Sequence, residues 1–297
     1  MTSCGFVALV GAPNAGKSTL LNRLTGAKLS IVTPKAQTTR ARVLGLLVRG
    51  DVQFVFVDTP GIFSPKRRLD RAMVAAAWDG AAEADYTLLL VDAKAGITPA
   101  VREIATKLGE AKRELALVLN KIDLIDRQKL LPLTQELAAL APFEKVFMIS
   151  ADKGDGIEAV LDFCASKLPE SPFLYPEDEM TDMPDRLLAA EIVREQIFFQ
   201  TRDEVPYGAT VETESFKEQA NGSIRIDAVI YVARPGHKSI LIGAGGARIK
   251  SIGTKARLEL TKLMETKVDL FLRVAERAGW DEEAARIRAT GLTDPKK

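Results

Sequence analysis

Residues 11–18 read Gly11-Ala12-Pro13-Asn14-Ala15-Gly16-Lys17-Ser18, with Thr19 next, and fit G-x-x-x-x-G-K-[ST] in full. That spacing is chemistry for polyphosphate. Glycines let backbone amides wrap the phosphates, the lysine neutralises the β- and γ-phosphates, and the Ser18 hydroxyl is expected on Mg²⁺. A plain glycine turn needs neither Lys17 nor Ser18 in register. Asp58-Thr59-Pro60-Gly61 adds a carboxylate that can hold the metal through water and a Gly61 amide for a γ-phosphate. Alone, that tetrapeptide is a common turn. Asn120-Lys121-Ile122-Asp123 addresses the base. The Asp123 carboxylate accepts two hydrogen bonds, guanine offers N1–H and the 2-amino group, and adenine offers neither. The Lys121 stem is expected over the base, and Asn120 is expected to tie this loop to the phosphate loop. Ser150-Ala151-Asp152-Lys153-Gly154 places Ser150, Ala151 and Lys153 where backbone amides can meet guanine O6. The nucleotide expected is GTP or GDP rather than ATP, which opposes a P-loop ATPase or small-molecule kinase.

The elements that must position these residues are legible. Continuous apolar runs at 5–10, 52–57, 86–91, 115–119 and 146–149 read as strands buried on both faces. Helix-like segments lie between them at 17–25, 69–83, 99–112, 127–140 and 157–168. Such alternation predicts a doubly wound, mostly parallel α/β sheet, in which strand ends carry the ligand loops. A further strand at 42–49 joins 52–57 through Gly50-Asp51 as an antiparallel hairpin. The expected G domain spans 1–168. Residues 169–184, rich in proline and acid, read as an extended linker.

From 185 to 297 the grammar changes to a smaller α+β layout: helix 185–199, strands 209–216 and 224–232, a glycine cluster, a helix from about 248 to 265, and a strand at 268–274. Gly243, Ala244, Gly245 and Gly246 form Gly-x-x-Gly before a helix, the backbone clamp that KH domains close on a phosphodiester. Glycine clusters are more often simple turns. This one lies within a stretch, 228–258, that has no acidic residue and carries Arg234, Lys238, Arg248, Lys250, Lys255 and Arg257. The element order matches the type II KH topology. The expected ligand is single-stranded RNA, held by Arg234, Lys238, Arg248, Lys250 and Lys255 around the glycine loop. Ile240, Ile242 and Ile249 are weighted toward core rather than base contacts. His237 reads as an ordinary loop residue, and Trp78 and Trp280 carry no site signal.

The 297 residues hold 41 Lys+Arg against 40 Asp+Glu, with 46% hydrophobic and 27% charged residues. This composition excludes whole-chain disorder. No apolar stretch approaches the ~18 residues of a membrane span. The N-terminal stretch lacks a basic n-region and reads as no secretory leader. Two cysteines, Cys4 and Cys164, indicate neither a disulfide framework nor zinc. The expectation is a cytoplasmic monomer. Its surface basic residues leave room for weak peripheral contact with the inner face of the membrane.

The four nucleotide motifs in this order resemble a translation-factor-class GTPase. The form Gly-x-Pro-Asn-x-Gly-Lys-Ser-Thr, with Gln37-Thr38-Thr39-Arg40 between it and Asp58, resembles the Era family. The resemblance implies that Thr39, with Thr38 next in line, is the switch residue that binds Mg²⁺ beside Ser18 and Asp58 and senses the γ-phosphate. Residues 28–41 themselves read only as a basic, Thr-rich loop. Ile62 follows Gly61, where many GTPases place a water-orienting glutamine. The resemblance implies that Asn14 with a K⁺ ion serves instead, so that Lys17, Thr39, Gly61 and Asn14 carry a slow hydrolysis. It further implies a GTP-switched factor on the 3′ end of 16S rRNA in 30S subunit assembly. Its rival is a nucleotide-gated signalling or membrane-associated protein in which RNA is secondary.

Overall fold

The computed structural model describes residues 1–293; the last four positions of the expected second domain lie outside the described residues. Strands β1 (Ser3–Gly11), β2 (Val43–Arg49), β3 (Val52–Asp58), β4 (Tyr86–Asp92), β5 (Leu115–Asn120) and β6 (Val146–Met148) form one sheet in the order β2-β3-β1-β4-β5-β6. All neighbours are parallel except the β2–β3 hairpin. Strand order reverses at β1, whose parallel neighbours are β3 and β4, so a crevice opens at the carboxyl ends of the strands there.

Both faces of the sheet are covered, which is why its strands are continuously apolar. Leu20, Leu21 and Leu24 of α1 (Lys17–Thr25) and Val160, Leu161 and Cys164 of α5 (Ile157–Ala165) pack on one side. Ala77 and Ala81 of α2 (Arg68–Glu83), Ile104 and Leu108 of α3 (Pro99–Glu110) and Leu137 of α4 (Arg127–Ala138) pack on the other. Local chemistry sets the ends. Thr98 caps α3 by accepting from the Val101 amide, with Pro99 in the first turn.

The second unit is α6 (Asp185–Gln200), β7 (Ala209–Glu218), β8 (Ile224–Val232), α7 (Pro235–Ile242), α8 (Ala247–Leu263) and β9 (Val268–Glu276). Its sheet runs β7-β8-β9, with β7 antiparallel and β9 parallel to β8. Ile226, Ala228, Ile230 and Val232 of β8 pack against Ile192 and Val193 of α6 and Ile252, Ala256 and Leu260 of α8.

Three expectations need correction, on residues 235–242, His237 and Ile240, and one, on the extended segment 169–184, gains detail. Residues 235–242, read as loop, form α7, because Pro235 fits a first helical turn, where its missing N–H costs nothing. His237 is therefore a buried helix residue, packed where a side chain at Gly208 would otherwise sit. Ile240, weighted toward core, is 41% exposed. Residues 169–184 are extended but not a free tether. The Leu46 amide donates to Met180 O (2.9 Å), and buried Gln53 donates to Tyr175 O (2.8 Å) while accepting from the Leu174 amide (2.8 Å). Phe173 and Tyr175 cover the apolar face at Leu44, Leu46 and Val55. Proline forbids a regular ladder, yet the segment still shields the outer strand β2.

After β9 the chain returns to the first domain. Trp280, fully buried, and Ile287 of α9 (Ala284–Ala289) pack on Leu69 and Met73 of α2. Trp280 also donates to Gly208 O at 3.1 Å. The tryptophan that carried no signal in the sequence closes the contact between domains.

Candidate functional site

The phosphate loop leaves β1 at Gly11 and enters α1 through Gly16, whose φ of 94° favours glycine. A Cβ on Gly16 would lie 2.1 Å from Asn120 Nδ2. Lys17 is 5% exposed and donates to Gly11 O and Ala12 O at 3.1 Å. Burial pushes its ammonium down to about 8, against the pull of Asp58. The group thus stands dehydrated against two backbone carbonyls of the phosphate loop.

Asp58 ends β3 fully buried. Its Oδ2 accepts from Ser18 Oγ (2.7 Å), Ser30 Oγ (2.9 Å) and Thr39 Oγ1 (3.4 Å), while Oδ1 is buried without a hydrogen-bond partner. Burial raises its pKa, opposed by Lys17. Ser18 and Thr39, both expected on the metal, lie 2.7 Å apart through their hydroxyls. Thr39 is nearly buried; Thr38, the alternative, meets the loop's surroundings through its carbonyl. A Cβ on Gly61 would meet Pro13 Cα at 2.8 Å, so glycine alone lets this loop approach the phosphate loop. Ile62 packs into the core, and its amide donates to Gly11 O at 3.1 Å.

Asn120 joins three loops. Its Nδ2 donates to Ala15 O (2.9 Å), and its Oδ1 accepts from the amides of Lys121 (2.8 Å) and Ala151 (3.0 Å). The Ala151 and Lys153 amides, expected at guanine O6, have partners within the protein, the latter in Ser150 Oγ at 3.2 Å. Lys121, at φ 63°, donates to Asn14 O (2.7 Å) and Asp92 (2.6 Å). Asp123 lies one turn beyond in an exposed 3₁₀ segment. Asn14, Gly16, Lys17, Ser18, Thr19, Thr39, Gly61 and Lys121 line one cavity of about 310 Å³, together with Ile31 to Pro34 of the loop 28–41, the expected switch loop. A second hollow at Arg23, Ala151 and Asp152 adjoins it along Thr19 and Val32. Ser30 and Asp92 have no motif of their own in the sequence and emerge only from the geometry.

The switch loop, without regular structure, is bonded to the second domain along its length. Lys28 pairs with Glu195 (2.7 Å) of α6 and Glu259 (3.0 Å) of α8. The Val32 amide donates to Glu195 Oε1 (3.3 Å). The Arg194 guanidinium donates to Thr38 O, and Arg40 donates to Ala209 O (2.9 Å) with its guanidinium 5.2 Å from the Trp280 ring.

In the second domain Gly243 adopts φ 71°, ψ 174°, and a Cβ there would meet Arg248 Cβ at 2.9 Å. Arg248 donates to Ile240 O (2.7 Å), so it closes the glycine loop rather than standing free. Beside the loop a groove of about 430 Å³ runs between α8 and β9, lined by Ile249, Lys250, Gly253, Arg257, Leu270 and Phe271. Of the basic residues expected on RNA, Lys250 lies in this groove and Lys255 does not line it. Arg257, noted in the sequence only as part of the basic stretch, lines it together with Leu270 and Phe271, which had no signal.

A doubly wound sheet with a phosphate loop, a guanine motif and a KH-type partner defines a P-loop GTPase joined to an RNA-binding fold. The family model described as "50S ribosome-binding GTPase" matches residues 6–121, and a KH domain model matches 204–280. The chain is 51% identical to GTPase Era of Afipia carboxidovorans, covering 100% of this chain and 96% of that one. It is 52% identical to GTPase Era of Dinoroseobacter shibae, covering 98% and 96%. Its fold follows a point variant of Aquifex aeolicus Era bound to GDP·AlF4⁻ (40% identity, TM-score 0.93, 98% and 99% covered). It also follows Era in complex with MgGDPNP and nucleotides 1506–1542 of 16S ribosomal RNA (40% identity, TM-score 0.94, 98% and 99% covered). The chain belongs to the Era family of GTPases.

Proposed function

We propose that this GTPase is a nucleotide-switched factor that binds 16S rRNA near its 3′ end and assists maturation of the 30S subunit. The observation that carries the reading is the groove between α8 and β9, set beside the glycine loop. It is joined to a fold shared across 98% of the chain with an Era that holds that RNA. The amides of Ala244 and Gly245 would take a phosphodiester, since those of Gly243 and Gly246 already donate to Ser239 O (2.9 Å) and Gly243 O (3.2 Å). Lys250 and Arg257 would take its neighbours, over an apolar floor of Ile249 and Leu270.

At the nucleotide site, Gly11 to Thr19 would cradle the phosphates, with Lys17 on the β- and γ-phosphates and Asp123 reading guanine. Ser18, Thr39 and Asp58 are hard oxygen donors converging on one point, and Asp58 keeps one buried oxygen unpartnered. That set fits Mg²⁺, with Ser18 and Thr39 as holders and Asp58 acting through water. When bound, the ion supplies neutralisation of phosphate charge. Ile62 is buried in the core and offers no polar group to a water. Orientation then falls to Thr39 and the Gly61 amide, and Asn14 would hold a K⁺ where positive charge favours the transition state.

The test is binding of an oligonucleotide matching the 16S rRNA 3′ end, with GDP or a GTP analogue on the protein. Binding no tighter than that of a scrambled RNA would sink the reading. Lys250→Glu with Arg257→Glu should weaken binding and lower its salt slope by about one per lost phosphate contact.

A further inference from the structure

The loop 28–41 belongs to the GTPase domain in sequence, yet Lys28, Val32, Lys35, Thr38 and Arg40 bond to the other domain. Arg194 and Glu195 are adjacent on α6 and only 1% and 2% exposed. Successive helical residues diverge by about 100°, so the two reach different parts of the loop. Glu195 takes the Lys28 ammonium and the Val32 amide at its root. Arg194, oriented by Glu191 (2.8 Å), takes the Thr38 carbonyl. Between them Lys35 donates to the carbonyls of Phe198 and Thr201 at the end of α6. Removing two charges from water is costly unless each is paired and hydrogen-bonded. Here Glu195 takes both its partners, the Lys28 ammonium and the Val32 amide, from the loop, while Arg194, paired with Glu191 on its own helix, adds the Thr38 carbonyl and keeps Nη1 buried without a hydrogen-bond partner.

We propose that Arg194 and Glu195, supplied by the second domain, are positioning residues of the GTPase reaction. They hold the loop so that Thr39, one peptide unit from the Thr38 carbonyl, sets its hydroxyl on Ser18 and Asp58. The inference rests on the reading of Thr39 as the γ-phosphate switch residue. Without the clamp, the loop has to be ordered when GTP binds, and the entropy of ordering is charged against the triphosphate state. GDP, which lacks the γ-phosphate, does not draw on Thr39 and is indifferent to the clamp. Glu259 extends the device. It shares Lys28 with Glu195 and sits on α8, the helix that lines the groove with Lys250 and Arg257.

The experiment uses the full chain and compares Arg194→Lys, Glu195→Gln and Thr39→Ala with the parent. Affinities for fluorescent GDP and a fluorescent non-hydrolysable GTP analogue are measured with Mg²⁺, and circular dichroism checks folding. Lysine keeps the charge but loses the planar fork, and glutamine keeps the shape but loses the ion pair. Both are expected to lower the ratio of analogue to GDP affinity about tenfold, within the 5–150-fold range of site coupling, with GDP affinity unchanged. Thr39→Ala is expected to do the same. If Thr39→Ala lowers the ratio while neither helix variant does, the positioning role is wrong and the reading of Thr39 survives. If Thr39→Ala leaves the ratio unchanged, that reading fails and takes the proposal with it. Proportional loss of both affinities would mark a merely structural role and overturn the proposal. Lys28→Gln, on a side chain 30% exposed, carries the same test should a helix variant fail to fold.

Discussion

The hydroxyls of Ser18 and Thr39, 21 positions apart in the chain, lie 2.7 Å from each other. Both also reach the same oxygen of Asp58. Ser18 is placed by the rigid phosphate loop and Asp58 by the end of β3. Thr39 is placed by a loop with no secondary structure. The geometry of the proposed metal locus is therefore as stable as whatever holds that loop.

Asp58 orients both hydroxyls, so Asp58→Asn should weaken Mg²⁺ binding and GTP hydrolysis about 10–100-fold, as for other partners behind metal ligands. Its amide would place a donor where Asp58 now only accepts. Titrating Mg²⁺ in a GTPase assay checks this. A variant with unchanged half-saturation would show that Asp58 does not act on the ion.

Hydrolysis should run faster in KCl than in NaCl, and Asn14→Ala should erase the difference. One positioned charge or donor at a transition state is typically worth about 10²–10³ in rate. Phosphate release in the two salts, parent against variant, decides it; equal parental rates dismiss the K⁺ role.

Lys17 sits at about 8 in the free protein against an ordinary 10.5. The unfolded chain keeps this proton to higher pH, so stability from this group rises as pH climbs between those two values. A bound triphosphate restores the ammonium. Nucleotide binding should therefore take up a proton between about 8 and 10.5 and take up none on Lys17 at pH 6.5. Calorimetry in buffers of different ionisation heat measures the uptake. Burial also raises Asp58, beside Lys17, so a cation bound there would displace any proton it holds, with the opposite sign and toward acid pH.

Trp280→Ala should cost about 3–5 kcal/mol, the usual range for emptying a buried tryptophan site. Its ring fills the contact between α2 and α9 and underlies Arg40. Urea unfolding measures the loss. A change below about 1 kcal/mol would mean that the interdomain contact collapses to fill the space.

The nucleotide half was legible because its chemistry is local. Gly11 to Ser18 must be contiguous to wrap phosphates, and Asn120 to Asp123 must be contiguous to read a base. The strands that carry them are buried on both faces and so appear as unbroken apolar runs. The Gly-x-x-Gly turn was legible for the same reason. Arg194 and Glu195 were not. On α6 they read as an ordinary charged face, since nothing near them in the chain says that a loop more than 150 positions away will bury them. Arg40, Trp280 and Glu259 share that invisibility. Their meaning comes from which surfaces meet, and long-range pairing leaves no periodicity in the local sequence. Motif residues were determined by the chain itself, through the backbone geometry and short spacing that phosphate and guanine demand. The support of the switch loop was decided only by tertiary structure, because a flexible segment takes its conformation from the buried partners it finds.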